Sequence, residues 1–342
     1  MISLILLSDI SYREKQHKTS HKGKEKMLES FNRSASISIT LPAEYGSIER
    51  LFTVNGRLLA LTEKSIVEFI TAEQIDTESK HLETRHHYQK LYSVGTSDPL
   101  IQSTLLFSDD YFKNRVFQKS FDLSKCKNHI WVCMEYLLKC QSALYKIFSS
   151  VIKLRPLCNN LIEQSKRNVV IPSLPQIDGL DDLVGNFLGN GKKFIEKTYE
   201  FLCLFLNCPH YGSQFTEYQK WLGKDDNHLT FLSIVDDFIE ENRFISALRN
   251  AHSLNHPREG HSVEIRNFTL LPGNKFADPN WRYNLSSNGG KTQIEYTNLF
   301  LDFETLLNNM GIFFQSIFAE CMNQVDITDI FGKLPSISIN AE

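Results

Sequence analysis

The stretch NHLTFLSIVDDFIEENRFISALRNAHSL, residues 227–254, decides the fold class, because its apolar residues repeat at helical spacing. The residues of one such stripe, three and seven positions apart, are Val235, Phe238 and Ile245. Continuing the same steps reaches Asn242 and Arg249, so two polar side chains are predicted to face inward. The helix should end before Pro257, since proline disfavours helical backbone in the residue that precedes it.

The end of this helix concentrates groups that can do chemistry. An inward arginine needs a carboxylate, a set of carbonyls or a ligand, because an unpaired buried charge costs several kcal/mol. Arg249 is therefore either one half of a structural salt bridge or an anion site, since a guanidinium matches the geometry of a phosphate. His256, just beyond the helix, titrates near neutral pH and can act as acid or base.

The motif formed by Arg249, Asn250 and His256, with six residues between the arginine and the histidine, resembles the Arg-x(4–6)-His motif of HEPN domains. A polar residue usually follows the arginine in that family, and Pro257 also fits the resemblance. The resemblance implies a helical bundle that forms a homodimer with a composite, metal-independent ribonuclease site. In that site the histidine would help to activate a ribose 2′-hydroxyl and the arginine would hold the scissile phosphate, while Asn250 would orient one of them.

The functional expectation is a HEPN-like endoribonuclease of a bacterial toxin–antitoxin or phage-defence system, with RNA as substrate and an antitoxin or other protein as partner. Two alternatives stay open. A non-catalytic helical interaction or regulatory module predicts Arg249 in an internal ion pair and His256 away from any cleft. A nucleotide-binding helical domain without cleavage keeps Arg249 in a pocket but not His256.

Further helices are predicted on both sides of the opening stretch, and they set the domain organisation. Helical spacing continues over 124–167, where Pro156 should kink or break the helix, and over 179–206 and 297–322. The glycines at 185, 189 and 191 do not match a phosphate loop, and they indicate a helix break or close packing. Alternating residues and a Gly-rich turn over about 262–296 predict a small antiparallel β insertion. The fold class is therefore mainly α, with a HEPN-like core over about 124–322.

The N-terminal part is predicted to be sparse in regular structure. Residues 1–35 are taken as a flexible tail with Met27 as an alternative start, and 36–342 as a single domain. Alternating Ile and Ser predict a strand over 36–41, the one ordered strand of this part. Short helices are predicted over 47–54, over 63–74 with Thr62 as N-cap, and from Pro99 to about residue 107.

Composition limits the remaining possibilities. The net charge of −3 argues against broad, sequence-independent coating of nucleic acid. Seven cysteines without a Cys-x-x-Cys motif argue against a disulfide framework, and Cys126, Cys133 and Cys140 repeat at a spacing typical of one helix face. No cofactor and no metal are expected, because the histidines at 81, 86 and 87, the Cys208–His210 pair and the carboxylates at 236–241 lack matching ligands. A cytoplasmic protein without a membrane partner is the resulting expectation.

Overall fold

The protein is described by a computed structural model. The described residues are 4–6, 37–39, 41–78, 80–81, 83–106, 122–165, 170, 173–212, 214–253, 260–285 and 292–324. Arg249 and Asn250 lie within these ranges. His256, Met27 and the predicted turn at 286–290 lie outside them, as does all of the predicted N-terminal tail except residues 4–6.

The N-terminal part contains an antiparallel sheet that the sequence did not predict. Strand β1 (Leu4–Leu6) pairs with β2 (Ile37–Ile39). A second sheet, of strand order β3-β4-β5-β6, follows a 3₁₀ turn at Ala43–Tyr45. Its strands are β3 (Ile48–Val54), β4 (Arg57–Thr62), β5 (Ile66–Ile70) and β6 (His87–Tyr92). Helix α1 (Ala72–Ile75) follows β5, and helix α2 (Pro99–Ile101) follows β6 and runs into a π turn at Gln102–Leu106.

Three predictions for this region are wrong. Residues 48–54 form a strand rather than a helix. The predicted helix at 63–74 contains strand β5 at Ile66–Ile70, and only its end, from Ala72, is helical. The predicted strand at 36–41 is present as β2, but it is not the one ordered strand of this part. For the central strands β4 and β5 the cause is burial on both faces of the sheet: Leu59 and Leu61 enter the main core, whereas Ala60 and Val67 enter a second cluster. Strands covered on both faces lose the alternation that identifies a strand from sequence.

Four long helices form the centre of the molecule. They are α3 (Leu123–Gln164), α4 (Leu180–Leu206), α6 (Leu229–His252) and α7 (Leu299–Asn323), with a short α5 (Phe215–Leu222) and a 3₁₀ turn (Asp226–His228) before α6. Helix α4 packs against α3, α6 and α7. The N-terminal sheet lies on α3, where the ring of Phe52 contacts Trp131 edge-on at 5.8 Å. The predicted mainly helical class holds, but the two sheet regions make the fold a mixed one.

Two features that could break helices leave them unbroken. Helix α3 continues through Pro156, because buried residues on both sides of it, Val151 and Cys158, keep their places in the core. Helix α4 continues through its three glycines, and close packing accounts for two of them. A Cβ added at Gly191 would lie 3.4 Å from Met310 Sδ and 3.5 Å from Ile245 Cγ2, so α6 and α7 approach α4 closely there.

The predicted β insertion between α6 and α7 is confirmed. Its main sheet has the order β11-β10-β7, made of β7 (His261–Arg266), β10 (Asn280–Leu285) and β11 (Thr292–Asn298), and a hairpin joins β8 (Thr269–Leu271) to β9 (Lys275–Ala277). Trp281 pairs with Ile265 on one side and Thr297 on the other, and its side chain faces α7. The insertion therefore covers α6 and α7 next to the end of α6.

Candidate functional site

The core-facing stripe of α6 carries the polar residues that the helical spacing predicted. Val235 and Ile245 are buried, and Asn242 between them is 0% exposed. Arg249, seven residues later on the same stripe, is half-buried because it lies in the last turn of the helix. The predicted inward orientation of Asn242 is confirmed, and Arg249 lies where this stripe reaches the edge of the core.

Asn242 has a structural partner. Its Nδ2 donates a 2.6 Å hydrogen bond to the hydroxyl of Tyr199, another fully buried residue, whereas its Oδ1 has no partner among the described residues. Burial raises the pKa of Tyr199, so this hydroxyl stays neutral. The pair joins α4 to α6 at Asn242, seven residues before Arg249. Asn242 is thus held inside the bundle by a neutral contact and is not part of an open site.

We expect Tyr199→Phe to lower the free energy of unfolding by about 1–3 kcal/mol, because it leaves the buried Asn242 amide without an acceptor. Asn242→Leu should also destabilise, since the Tyr199 hydroxyl then loses its donor. The double variant should lose less than the sum of the two, by about 0.5–3 kcal/mol. Urea denaturation of all four proteins measures this coupling, and strictly additive losses would contradict the described contact.

Arg249 has no ion pair among the described residues. Its Nη1 donates a 3.3 Å hydrogen bond to Oδ1 of the adjacent Asn250, and this bond uses one of the five donors of the guanidinium. The interaction turns the guanidinium toward the Asn250 side of the helix end. An arginine held by a neutral amide keeps its full positive charge available, as an anion site requires.

A second cluster that contains arginine, on the outer face of the β insertion, differs from Arg249 because its guanidinium groups have a carboxylate partner. Glu264 accepts a 2.7 Å hydrogen bond from Arg282 Nε, a 3.1 Å one from Arg266 Nη2 and one from the Tyr296 hydroxyl. The Tyr296 bond, followed by the Arg282 bond, lowers the pKa of Glu264 to about 2. Arg266 also covers the Tyr296 ring at 3.7 Å. Both guanidinium groups are therefore already engaged by a carboxylate, whereas that of Arg249 is not.

The other half of the predicted motif lies outside the described residues. These end at Ser253 and resume at Gly260, so His256 has no described position. The predicted convergence of the Arg249 and His256 side chains therefore stays a prediction.

A histidine–aspartate pair, which sequence reasoning missed, lies in the same last turn of α6. His252 Nε2 is 3.2 Å from Oδ1 of Asp181, in the first turn of α4, and the His252 side chain is only 15% exposed. Since an ionised carboxylate can only accept, the proton of this bond belongs to Nε2. No local signal identifies this pair, because 71 residues separate the partners in the chain.

Glycine at position 185 makes room for this pair. A Cβ added there would lie 3.0 Å from Cε1 and 3.4 Å from Nδ1 of His252. The imidazole therefore lies close to the backbone of α4 at Gly185, and its Nε2 is bonded to Asp181. Arg249, Asn250, His252 and Asp181 make this meeting of helix ends the candidate site.

Other groups considered from the sequence have local partners. Asp236, Glu240 and Glu241 are bonded to Gln219, Arg243 and Asn309, respectively. His210 Nε2 lies 3.7 Å from Oε1 of Glu200. The described ranges contain no group of three or more His, Cys, Asp or Glu residues arranged to hold a metal ion.

Three cavities of the described structure have no lining residue in the last turn of α6. One of about 440 Å³ opens between α2, α3 and α7 and is lined mainly by apolar residues such as Leu100, Met134 and Ile312. Its carboxylate, Asp98, is occupied in capping α2 through the backbone N–H groups of Leu100 and Ile101. The cavity has no set of groups for acid–base chemistry, so it is not the candidate site.

No known protein family, curated protein or solved structure matches this chain. Among the described helices, each is too short or too polar to cross a bilayer.

Proposed function

We propose that this chain is a HEPN-like, metal-independent endoribonuclease that acts as a cytoplasmic homodimer in a bacterial toxin–antitoxin or phage-defence system. The observation that supports it is Arg249: a half-buried guanidinium at the end of a bundle helix, held by Asn250 and paired with no described carboxylate. A regulatory module that uses this arginine as a structural ion pair would require such a carboxylate.

The reaction assigned to the site is attack of a ribose 2′-hydroxyl on the adjacent phosphorus. His256 takes the 2′ proton or returns one to the departing 5′-oxygen, while Arg249 binds the phosphoryl oxygens whose negative charge increases in the transition state. Asn250 keeps the guanidinium oriented through its Oδ1. The products are a 2′,3′-cyclic phosphate and a 5′-hydroxyl. Direct attack of water on the phosphorus would not form the cyclic phosphate.

The test is cleavage of single-stranded RNA by the purified full chain in the presence of a chelator. Arg249→Ala should lower the rate by about 100- to 1,000-fold, as the loss of one donor to a developing anion does. Arg243→Ala is the matched control, because Arg243 lies on the same helix, is exposed and already pairs with Glu240 at 2.6 Å. We expect it to retain the wild-type rate, and the termini of the products are identified by mass spectrometry.

Two results would contradict the proposal. One is absence of RNA cleavage by the wild-type chain, and the other is equal cleavage by wild type and Arg249→Ala. RNA or nucleotide binding that depends on Arg249, without any cleavage, would favour the nucleotide-binding alternative.

A further inference from the structure

The C-terminal end of α4 brings two cysteines together. Asn207 adopts a left-handed conformation (φ 54°) and ends the helix, and the N–H of Cys208 donates a 3.0 Å hydrogen bond to the carbonyl of Cys203. This bond, between residues five apart, is the closure of a Schellman turn, in which the side chains at these two positions meet. The backbone itself therefore places one thiol against the other.

The Cys203 S–H donates a 3.4 Å hydrogen bond to the carbonyl oxygen of Pro209, the residue after Cys208, so the Cys203 thiol is directed toward this turn. Cys208 and the Tyr218 hydroxyl both lie close enough to Cys203 to act on its pKa. The backbone N–H of Tyr211 donates a 3.3 Å hydrogen bond to the Tyr218 hydroxyl. Cys203 is buried, whereas Cys208 is half-buried, so small molecules reach the pair from the Cys208 side.

The pKa of Cys203 also shifts in the opposite direction from those of the cysteines outside the pair. Hydrogen bonds, first from Cys208 and then from Tyr218, lower the pKa of Cys203. Burial instead raises the pKa of the remaining thiols, to about 12 for Cys126 and Cys133. The same direction holds for Cys140, Cys158 and Cys321. Since the thiolate is the reactive form, Cys203 is the favoured nucleophile among the seven.

A metal ion does not account for the arrangement. His210, the nearest candidate ligand in sequence, lies against Glu200, and the described residues supply no third ligand. A low-pKa thiol beside a second thiol is instead the arrangement found in cysteines that are oxidised reversibly.

We propose that Cys203 and Cys208 form an intramolecular disulfide when the protein meets hydrogen peroxide. The Cys203 thiolate attacks one peroxide oxygen and the O–O bond breaks, giving a sulfenic acid and hydroxide, which becomes water with the proton that Cys203 released. The Cys208 sulfur then attacks the sulfenic sulfur and the S–O bond breaks. The departing hydroxide takes the Cys208 proton as a second water, so two thiols and one peroxide give one disulfide and two waters.

Disulfide formation changes the end of α4. It ties the last turn of the helix covalently to the segment that begins at Cys208, and it removes the Cys203 thiol that lies beside the Tyr218 hydroxyl. Tyr218 belongs to α5 and its ring packs 4.6 Å from that of Tyr199. The modification therefore acts on the contact between α4 and α5, and it is independent of the ribonuclease proposal.

The sequence makes the test direct. Trypsin cleaves after Lys197 and Lys220, and the peptide between them contains Cys203, Cys208 and no other cysteine. The native full chain is treated with hydrogen peroxide and then denatured in the presence of an alkylating reagent. It is digested with trypsin and analysed by mass spectrometry. We expect two of the seven thiols to be lost, with this peptide two hydrogens lighter and unalkylated and the other five cysteines alkylated. Reduction before alkylation should restore both alkyl groups.

Variants assign the roles of the two sulfurs. Cys208→Ser should stop at a Cys203 sulfenic acid that reacts with dimedone, and Cys203→Ser should form no disulfide in this peptide. Cys158→Ser, outside the pair, should behave as the wild type. A wild-type peptide that stays doubly alkylated while other cysteines are oxidised would overturn the proposal, as would a disulfide that appears only after denaturation. The wild-type measurement decides this without relying on any variant to fold.

Discussion

His256→Ala is expected to slow RNA cleavage by about 100- to 10,000-fold, the contribution typical of a general acid or base. The residue lies outside the described ranges, but it follows within four residues of the end of α6, whose last turn presents Arg249. The rate should fall without a change in the circular dichroism spectrum or in the free energy of unfolding, because the effect concerns the reaction and not the bundle. Single-turnover cleavage of a labelled RNA measures it.

His252 provides the competing assignment and must be tested in parallel. Its imidazole is oriented by Asp181 at 3.2 Å, so it has the arrangement of an acid–base histidine although its spacing from Arg249 departs from the motif. We expect His252→Ala to change the rate by less than tenfold, well below the range expected for the loss of a general acid or base. His210→Ala, an exposed histidine at the opposite end of α4, is the matched control. A large loss with His252→Ala and none with His256→Ala would transfer the role to His252.

Trp281→Ala is expected to lower the free energy of unfolding by about 3–5 kcal/mol, the range for removal of a buried aromatic side chain. Trp281 is 1% exposed, and its ring meets that of Phe303 edge-on at 5.0 Å. Its Nε1 also donates a 2.7 Å hydrogen bond to Asp302 Oδ2, so the variant leaves a cavity and removes a donor from a carboxylate. Guanidinium chloride denaturation measures the loss as a lower midpoint.

Two further variants separate the contributions to this loss. Trp281→Phe keeps most of the ring but not the donor, and should lose about 1–3 kcal/mol. Tyr145→Ala, at a residue 68% exposed, should change the stability by no more than about 0.5 kcal/mol. A loss below about 1 kcal/mol for Trp281→Ala would contradict the described packing of the β insertion on α7.

The helical half of the chain could be predicted because its signals are local. The periodic apolar residues of α4, α6 and α7 face one core, and asparagine, glycine and proline mark helix ends. The inward position of Asn242 followed from the same steps that place Val235 and Ile245 inside. The β insertion could also be predicted. Its strands have one covered face, so apolar and polar residues alternate along them.

The N-terminal sheet and the Asp181–His252 pair of the candidate site depended on contacts between distant residues. Strands β4 and β5 are covered on both faces, which removes the alternation and leaves apolar runs that also fit a helix. Helix α3 passes through Pro156 because packing on either side outweighs the loss of one hydrogen bond. Similarly, no spacing rule links Asp181 to His252.

Periodicity along the chain thus specified the helices, the β insertion and the inward stripe that leads to Arg249, because each of these is a property of neighbouring residues. Tertiary packing decided the charged contacts between residues that are far apart in the sequence. It left Arg249 with an amide partner and gave His252 an aspartate from another helix. The physical reason is that the pairing of charged side chains depends on how helix ends meet in space, which sequence spacing does not encode.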